Sequence, residues 1–154
     1  ATFSGLTIAG TIGGRALTFT SAGLTAATST SFNLTAGAAT QLAIAVQPSG
    51  AASGVAFTAQ PVIEIRDAAA NLVTSSTVAV TAAIASGGGT LTGTATVNAV
   101  GGVATFNGLL IAGAIGPYTL TFTAAGLIPA TSASFNLASR VWTSRASSAS
   151  RAAI

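Results

Sequence analysis

The stretch "LLIAGAIGPYTLTFTAAGLI", residues 109–128, runs for twenty residues without a charge, and its reading decides the fold. Its length suits one α-helical crossing of a bilayer. Three features direct it elsewhere. Gly116-Pro117 stands in its middle, and proline removes a helical hydrogen bond and clashes with the preceding turn. "YTLTFT" (118–123) alternates apolar and polar residues with period two, the mark of a half-buried strand. The equivalent stretch near the start of the chain carries Arg15 at its centre, where a bilayer disfavours charge. The segment therefore reads as two strands and a turn, with no membrane span.

That earlier stretch belongs to a longer duplication. "ATFSGLTIAG" (1–10) returns as "ATFNGLLIAG" (104–113), and residues 1–34 set against 104–137, an offset of 103, agree at 24 of 34 positions. A period near one hundred is too long for a solenoid coil or a propeller blade and suits a bead-like β-sandwich. Nothing before Ala1 matches residues 41–103, so the first copy is half a unit.

Between the two copies the strand signals are dense. "LAIAV" (42–46), "VIEIR" (62–66), "TVAVTAAIA" (77–85), "TATVNAV" (94–100), "GVATFNGLLI" (102–111), "YTLTFTA" (118–124) and "SASFNLA" (132–138) are short, alternating and rich in Val, Ile, Thr and Phe. "QPSG", "DAAAN", "SGGG", "VGG", "AIGP" and "AAGL" punctuate them as turns, and "ASGGGTLTG" reads as a hairpin turn rather than a phosphate-cradling loop. Seven strands with turns about every ten residues predict an all-β, antiparallel, immunoglobulin-like β-sandwich. The predicted organisation is a closing half of a preceding repeat at 1–37, a complete repeat at 38–138 and an Arg/Ser-rich tail at 139–154. Tyr118, Leu120 and Phe122 should point inward and Thr119, Thr121 and Thr123 outward, as should Val78, Val80 and Ile84 against Ala79, Thr81 and Ala83.

Residues 41–138 resemble the immunoglobulin-like repeats strung in tandem in very large bacterial surface and secreted proteins. The likeness rests on "QPSG", "QPVIEIRDAAAN", "TLTGTATVNAVGGVATF" and "GPYTLTFTAAGL", and residues 1–37 match the end of one more copy. The resemblance implies a bead serving as stalk, spacer or adhesin segment, extracellular or on the cell surface, with no catalytic residue. Two departures stand out. Such repeats carry "DANGN" where this chain has "DAAAN", so the turn after Asp67 lacks its glycine, and Arg15 stands where the full copy has Tyr118.

Composition removes most chemistry. The chain has five Lys plus Arg, two Asp plus Glu, no His and no Cys. Without His or Cys there is no Ser–His or Cys–His pair, and two carboxylates are a thin basis for acid–base work, so an enzyme is not expected and no cofactor is implied. Residues 1–138 balance Arg15 and Arg66 against Glu64 and Asp67. The net charge of +3 therefore comes from Arg140, Arg145 and Arg151 in the tail, and nucleic-acid binding is not expected. Absence of Lys excludes a Lys–Asn isopeptide staple, and with no initiator Met and no basic, apolar leader the chain reads as a processed protein or an excerpt. Asp67 with Asn71 is a weak candidate for a metal site, set against the simpler reading of two side chains bracketing a β-turn. Glu64 and Arg66 should share a solvated strand face. Asn33-Leu34-Thr35 fits a glycosylation pattern that its counterpart Asn136-Leu137-Ala138 lacks. The outward Thr rows leave a surface glycan as a possible partner.

The half repeat is the strongest lead to function. Phe3, Leu6, Ile8, Ile12, Leu17, Phe19, Leu24, Phe32 and Leu34 load it with apolar surface. At roughly 1.5–3 kcal/mol each when buried, leaving them wet forfeits on the order of 10–25 kcal/mol, against the ~5–15 that stabilises a domain. Something must cover them: more of the same chain, the chain's own complete sandwich, or another copy of the protein. Phe3, Leu6, Ile8, Leu17, Phe19 and Phe32, with Trp142 in the tail, are the expected assembly interface. The function expected is a structural fibre or stalk whose repeats associate head to tail by strand complementation. The rival is an adhesin or carbohydrate-binding module.

Overall fold

A computed structural model describes residues 1–140, and no helix forms among them. The first stretch contributes β1 (Gly13–Arg15), β2 (Thr18–Phe19), β3 (Ala27–Thr28) and β4 (Phe32–Leu34). The complete repeat contributes β5 (Ala39–Val46), β6 (Val62–Asp67), β7 (Ala79–Ser86), β8 (Thr90–Thr92), β9 (Thr96–Asn98), β10 (Val103–Thr105), β11 (Leu110–Ala112), β12 (Gly116–Thr123), β13 (Ala130–Thr131) and β14 (Phe135–Leu137).

The complete repeat is an antiparallel, immunoglobulin-like β-sandwich. One sheet runs β10-β6-β5, the other β13-β12-β7-β9 with β14 also on β12, and β11 pairs β8 at the side. Side-chain alternation builds the core. Ile63 and Ile65 of β6 are buried while Glu64 and Arg66 point out, and Tyr118, Leu120 and Phe122 of β12 are buried while Thr119, Thr121 and Thr123 are not. Phe106, just after β10, meets Phe122 with ring centroids 5.5 Å apart and ties the two sheets together. Outward, Thr81 meets Thr96 at 2.9 Å and Ser86 meets Thr119 at 2.7 Å, hydroxyl to hydroxyl.

Residues 109–128 thus contribute β11 and β12, and no helix among the described residues is long and apolar enough to cross a membrane. Two local expectations need correcting. The stretch 102–111 is two strands in different sheets, because the chain turns at Phe106-Asn107-Gly108, where Gly108 takes φ +69°. The Gly87–Gly89 run does not close a hairpin. β7 pairs β9 instead, and the residues after the glycines leave to form β8 against β11. Gly87 is needed for contact as well as freedom: at φ +93° it lies against the Tyr118 ring, and a Cβ there would strike it.

The first stretch repeats the end of the sandwich register for register. Gly13↔Leu34, Gly14↔Asn33 and Arg15↔Phe32 become Gly116↔Leu137, Pro117↔Asn136 and Tyr118↔Phe135 at the 103-residue offset. Thr18↔Thr28 and Phe19↔Ala27 likewise become Thr121↔Thr131 and Phe122↔Ala130. Even the side-chain bond that stitches the strands recurs, with Leu17 N–H donating to Ser29 Oγ and Leu120 N–H to Ser132 Oγ, both at 2.9 Å. One difference has a clear cause. β12 runs unbroken over Gly116–Thr123 because β7 pairs its other edge, whereas the same path in the first stretch is two short strands with no such neighbour.

Candidate functional site

The repeat supplies its own control for what the first stretch should bury. Phe3 is 59% exposed and its counterpart Phe106 1%; Leu6 is 61% and Leu109 0%; Ile8 is 39% and Ile111 0%. These side chains keep their mutual arrangement. Phe3 packs on Phe19 with centroids 5.2 Å apart, as Phe106 packs on Phe122. Missing is the opposite sheet. In the complete repeat, residues 41–103 provide Leu42, Phe57, Ile63, Ile65, Val73 and Val80 to the same core.

Of the residues expected at the assembly interface, Phe3, Leu6, Ile8 and Phe32 are exposed, and Leu17 and Phe19 are half buried within the same half-sandwich. Trp142 lies outside the described residues. Among the three coverings weighed above, the chain's own complete sandwich does not serve, since these residues stay open beside it.

The two parts instead meet end to end at the turn after β6. Asn71 is buried there; its Nδ2 donates to Gly10 O at 2.9 Å and its Oδ1 accepts Ile12 N–H at 3.1 Å. Asp67, buried beside it, accepts the Gly37 N–H at 2.8 Å, Ala69 N–H at 2.9 Å and Asn71 N–H at 2.8 Å, with Asn71 Nδ2 donating to both oxygens at 3.2 and 3.0 Å. Donors so aimed stabilise the ionised form. The Asn71 amide first, then the Gly37 N–H, hold the Asp67 carboxyl at about 2 against an ordinary 3.8, although burial opposes them. The carboxylate oxygens therefore face N–H groups, and the pair brackets a turn. This turn does more than cap a strand, because Gly10 and Ile12 lie about sixty residues away in sequence and belong to the other half of the joint.

Grooves of about 420 Å³ and 370 Å³ flank the joint, the first bordered by Ile8, Leu34 and Asp67 and the second by Ile12, Leu34 and Leu72. Their walls are mainly apolar, and no group of three or more metal-binding side chains gathers among the described residues. Glu64 and Arg66 form an ion pair at 2.6 Å on the outer face of β6, with 24% and 36% of their side chains exposed. Such a surface pair is worth about 0–1 kcal/mol.

Sequence reasoning missed the joint. Asp67 and Asn71 carry a local turn signal, but nothing in their spacing names a partner so distant in the chain.

No protein-family model matches the sequence, and no curated protein sequence matches it. Among solved structures, the chain is similar to a glycosyl hydrolase family 2 member from Bacteroides cellulosilyticus, with a TM-score of 0.53 and 13% identity over 72% of this chain and 16% of that one. A family 2 glycosyl hydrolase from Bacteroides cellulosilyticus DSM 14838 gives a TM-score of 0.48 at 15% identity, covering 72% of this chain and 16% of that one. The β-glucuronidase of Parabacteroides merdae gives 0.48 at 15%, covering 75% and 14%. This chain thus spans 14–16% of the lengths of these enzymes. The likeness is one of fold, an immunoglobulin-like β-sandwich.

Proposed function

We propose that this is a non-catalytic structural protein, an extracellular stalk or fibre built from immunoglobulin-like repeats of the bacterial tandem type. In it, the closing half of one unit is complemented, head to tail, by the opening half of another. The units are either tandem beads of one long chain or subunits that assemble with copies of themselves. The supporting observation is the contrast between Phe3 and Phe106: equivalent residues, equivalent strand registers, and one of them open to water. Exposed strand edges and apolar faces favour strand addition, and the scarcity of charge removes the repulsion that opposes it.

Catalysis lacks instruments, since Glu64 is paired with Arg66 and Asp67 is committed to N–H donors. The adhesin reading gains little from Phe3 and Phe32, whose counterparts pack in or against the core and are not rim aromatics awaiting a sugar. Electron microscopy of the protein and antibody labelling of intact cells test the proposal. Rods or threads and a surface label are expected; a purely intracellular label, or saturable binding to one glycan on an array, overturns it.

A further inference from the structure

We infer that Asn107 is a site of spontaneous covalent modification: its side-chain amide is lost through a cyclic imide formed with Gly108, and the chain ages at the turn between β10 and β11.

Of the asparagines, Asn33, Asn71, Asn98, Asn107 and Asn136, only Asn107 is followed by glycine. Imide closure needs the next residue's backbone nitrogen to reach the side-chain carbonyl carbon, an approach that a Cβ on that residue obstructs and glycine permits. Asn33, Asn98 and Asn136 are also held in β4, β9 and β14, and Asn71 is buried with its amide bonded to Gly10 O and Asp67. Asn107 and Gly108 are exposed and lie in neither strand. The Gly108 N–H has no backbone acceptor among the described residues. Nothing lies within 4 Å of the place a Cβ on Gly108 would take, so the turn has room for the ring.

The step needs only water. Gly108 N attacks Asn107 Cγ, the bond from Cγ to Nδ2 breaks, and ammonia leaves with the proton that Gly108 N gives up. Water then opens the imide at one of its two carbonyls. One opening yields aspartate, and the other yields isoaspartate, in which the main chain runs through Cβ and is one atom longer. No oxidation or reduction occurs.

The neighbouring residues make that extra atom costly. Phe106 N–H donates to Pro61 O at 3.1 Å, and Leu109 N–H donates to Gln60 Oε1 at 3.0 Å. Leu109 O accepts the Phe57 N–H at 3.0 Å and Gln60 Nε2 at 3.1 Å. Both side chains are buried, and Gly108 O lies where a Cβ on Gly93 would strike it. Between ends so fixed, a longer chain must displace Phe106 or Leu109 from a close-packed core. The new carboxylate also adds a negative charge to a stretch, 1–138, whose charges otherwise balance. The equivalent turn of the first stretch escapes. Ser4-Gly5 stands there, with Gly5 at φ +70° against +69° for Gly108, so the same backbone path closes without an amide to lose.

The test is incubation of the whole chain at mildly alkaline pH, followed by peptide mass spectrometry that separates aspartate from isoaspartate. Asn107 should convert on the order of tenfold faster than Asn33 or Asn136 in the same sample, since only its successor lacks a Cβ. Asn107→Ser, the residue of the first copy, should abolish the conversion, and Ser4→Asn should install it in the first stretch. Aged protein should unfold at lower urea than Asn107→Asp, which carries the charge on an unlengthened chain. Asn107 keeping its amide as long as Asn33 and Asn136 do overturns the inference. An isoaspartyl fraction with the urea midpoint of Asn107→Asp overturns the effect on the core.

Discussion

Arg15 and Tyr118 occupy equivalent positions and make equivalent bonds with different chemistry. The Arg15 guanidinium donates to Thr11 O at 2.7 Å, and the Tyr118 hydroxyl donates to Ala114 O at 2.9 Å, each reaching the carbonyl four residues back. The same O–H lies within reach of Gly88 O, in the opening half, so one proton serves two carbonyls, and the ring stacks on Phe135. This is the arrangement of a tyrosine corner. Arg15 keeps the loop bond and stays half buried at the open face, where a phenol ring would have nothing to cover it.

Removal of the Tyr118 hydroxyl should therefore be felt. Tyr118→Phe removes the single O–H that these two carbonyls share and is expected to lower stability by about 1–2 kcal/mol in urea titrations. Arg15→Ala, at a wetter site where the guanidinium bonds the Thr11 carbonyl and hydroxyl, should change it by less than about 0.5 kcal/mol.

The two equivalent phenylalanines give a sharper contrast. Phe106→Ala opens a cavity in a closed core and should cost about 3–5 kcal/mol, whereas Phe3→Ala in the isolated chain should stay within about 0.5 kcal/mol. Equal losses at both positions in thermal melts would mean that the face of residues 1–37 is already covered in solution.

Ala70 is the one non-glycine among the described residues with positive φ, at 63°. It is the position at which the related "DANGN" turn carries its glycine, so the alanine accepts a left-handed backbone that costs an L-residue roughly 1–2 kcal/mol. Ala70→Gly relieves that strain but frees the unfolded chain by about 0.4–1 kcal/mol. A net gain of about 0.5–1 kcal/mol is expected from denaturant midpoints.

Asp67 sets an acid limit. Its folded-state pKa is lowered to about 2 from 3.8, so the stability it contributes is complete above about pH 5 and declines as the pH falls through 3.8 toward 2. Urea midpoints measured from pH 5 to pH 2 should show this decline, and Asp67→Asn should flatten it while lowering stability at neutral pH.

Much of the fold was legible because alternation with period two reports burial directly: the inward set of β12 and the outward pair Glu64 and Arg66 follow from it alone. The duplication also showed which residues to compare, Phe3 with Phe106 and Leu6 with Leu109. Less legible was anything decided by tertiary pairing. "GVATFNGLLI" has strand composition throughout, yet Gly108 breaks it so that its two ends join different sheets. The Gly87–Gly89 run resembles a hairpin turn, but Gly87 is placed by the Tyr118 ring and β7 finds its partner beyond the next strand. Asn71 reads locally as a turn residue, and its bonds to Gly10 and Ile12 depend on how the two halves meet.

Those bonds have a mechanical consequence. Asn71 grips Gly10 and Ile12 through backbone atoms alone, and Asp67 holds the linker through the Gly37 N–H, so the joint ignores most side-chain changes in the loop it clamps. The joint is thus held at both the loop and the linker. Asn71→Ala should leave each unit folded while speeding amide exchange at Ile12. In the fibre proposed above, a row of units clamped in this way would behave as a rod, whose reach grows in proportion to the number of units, whereas a freely jointed string gains only with its square root.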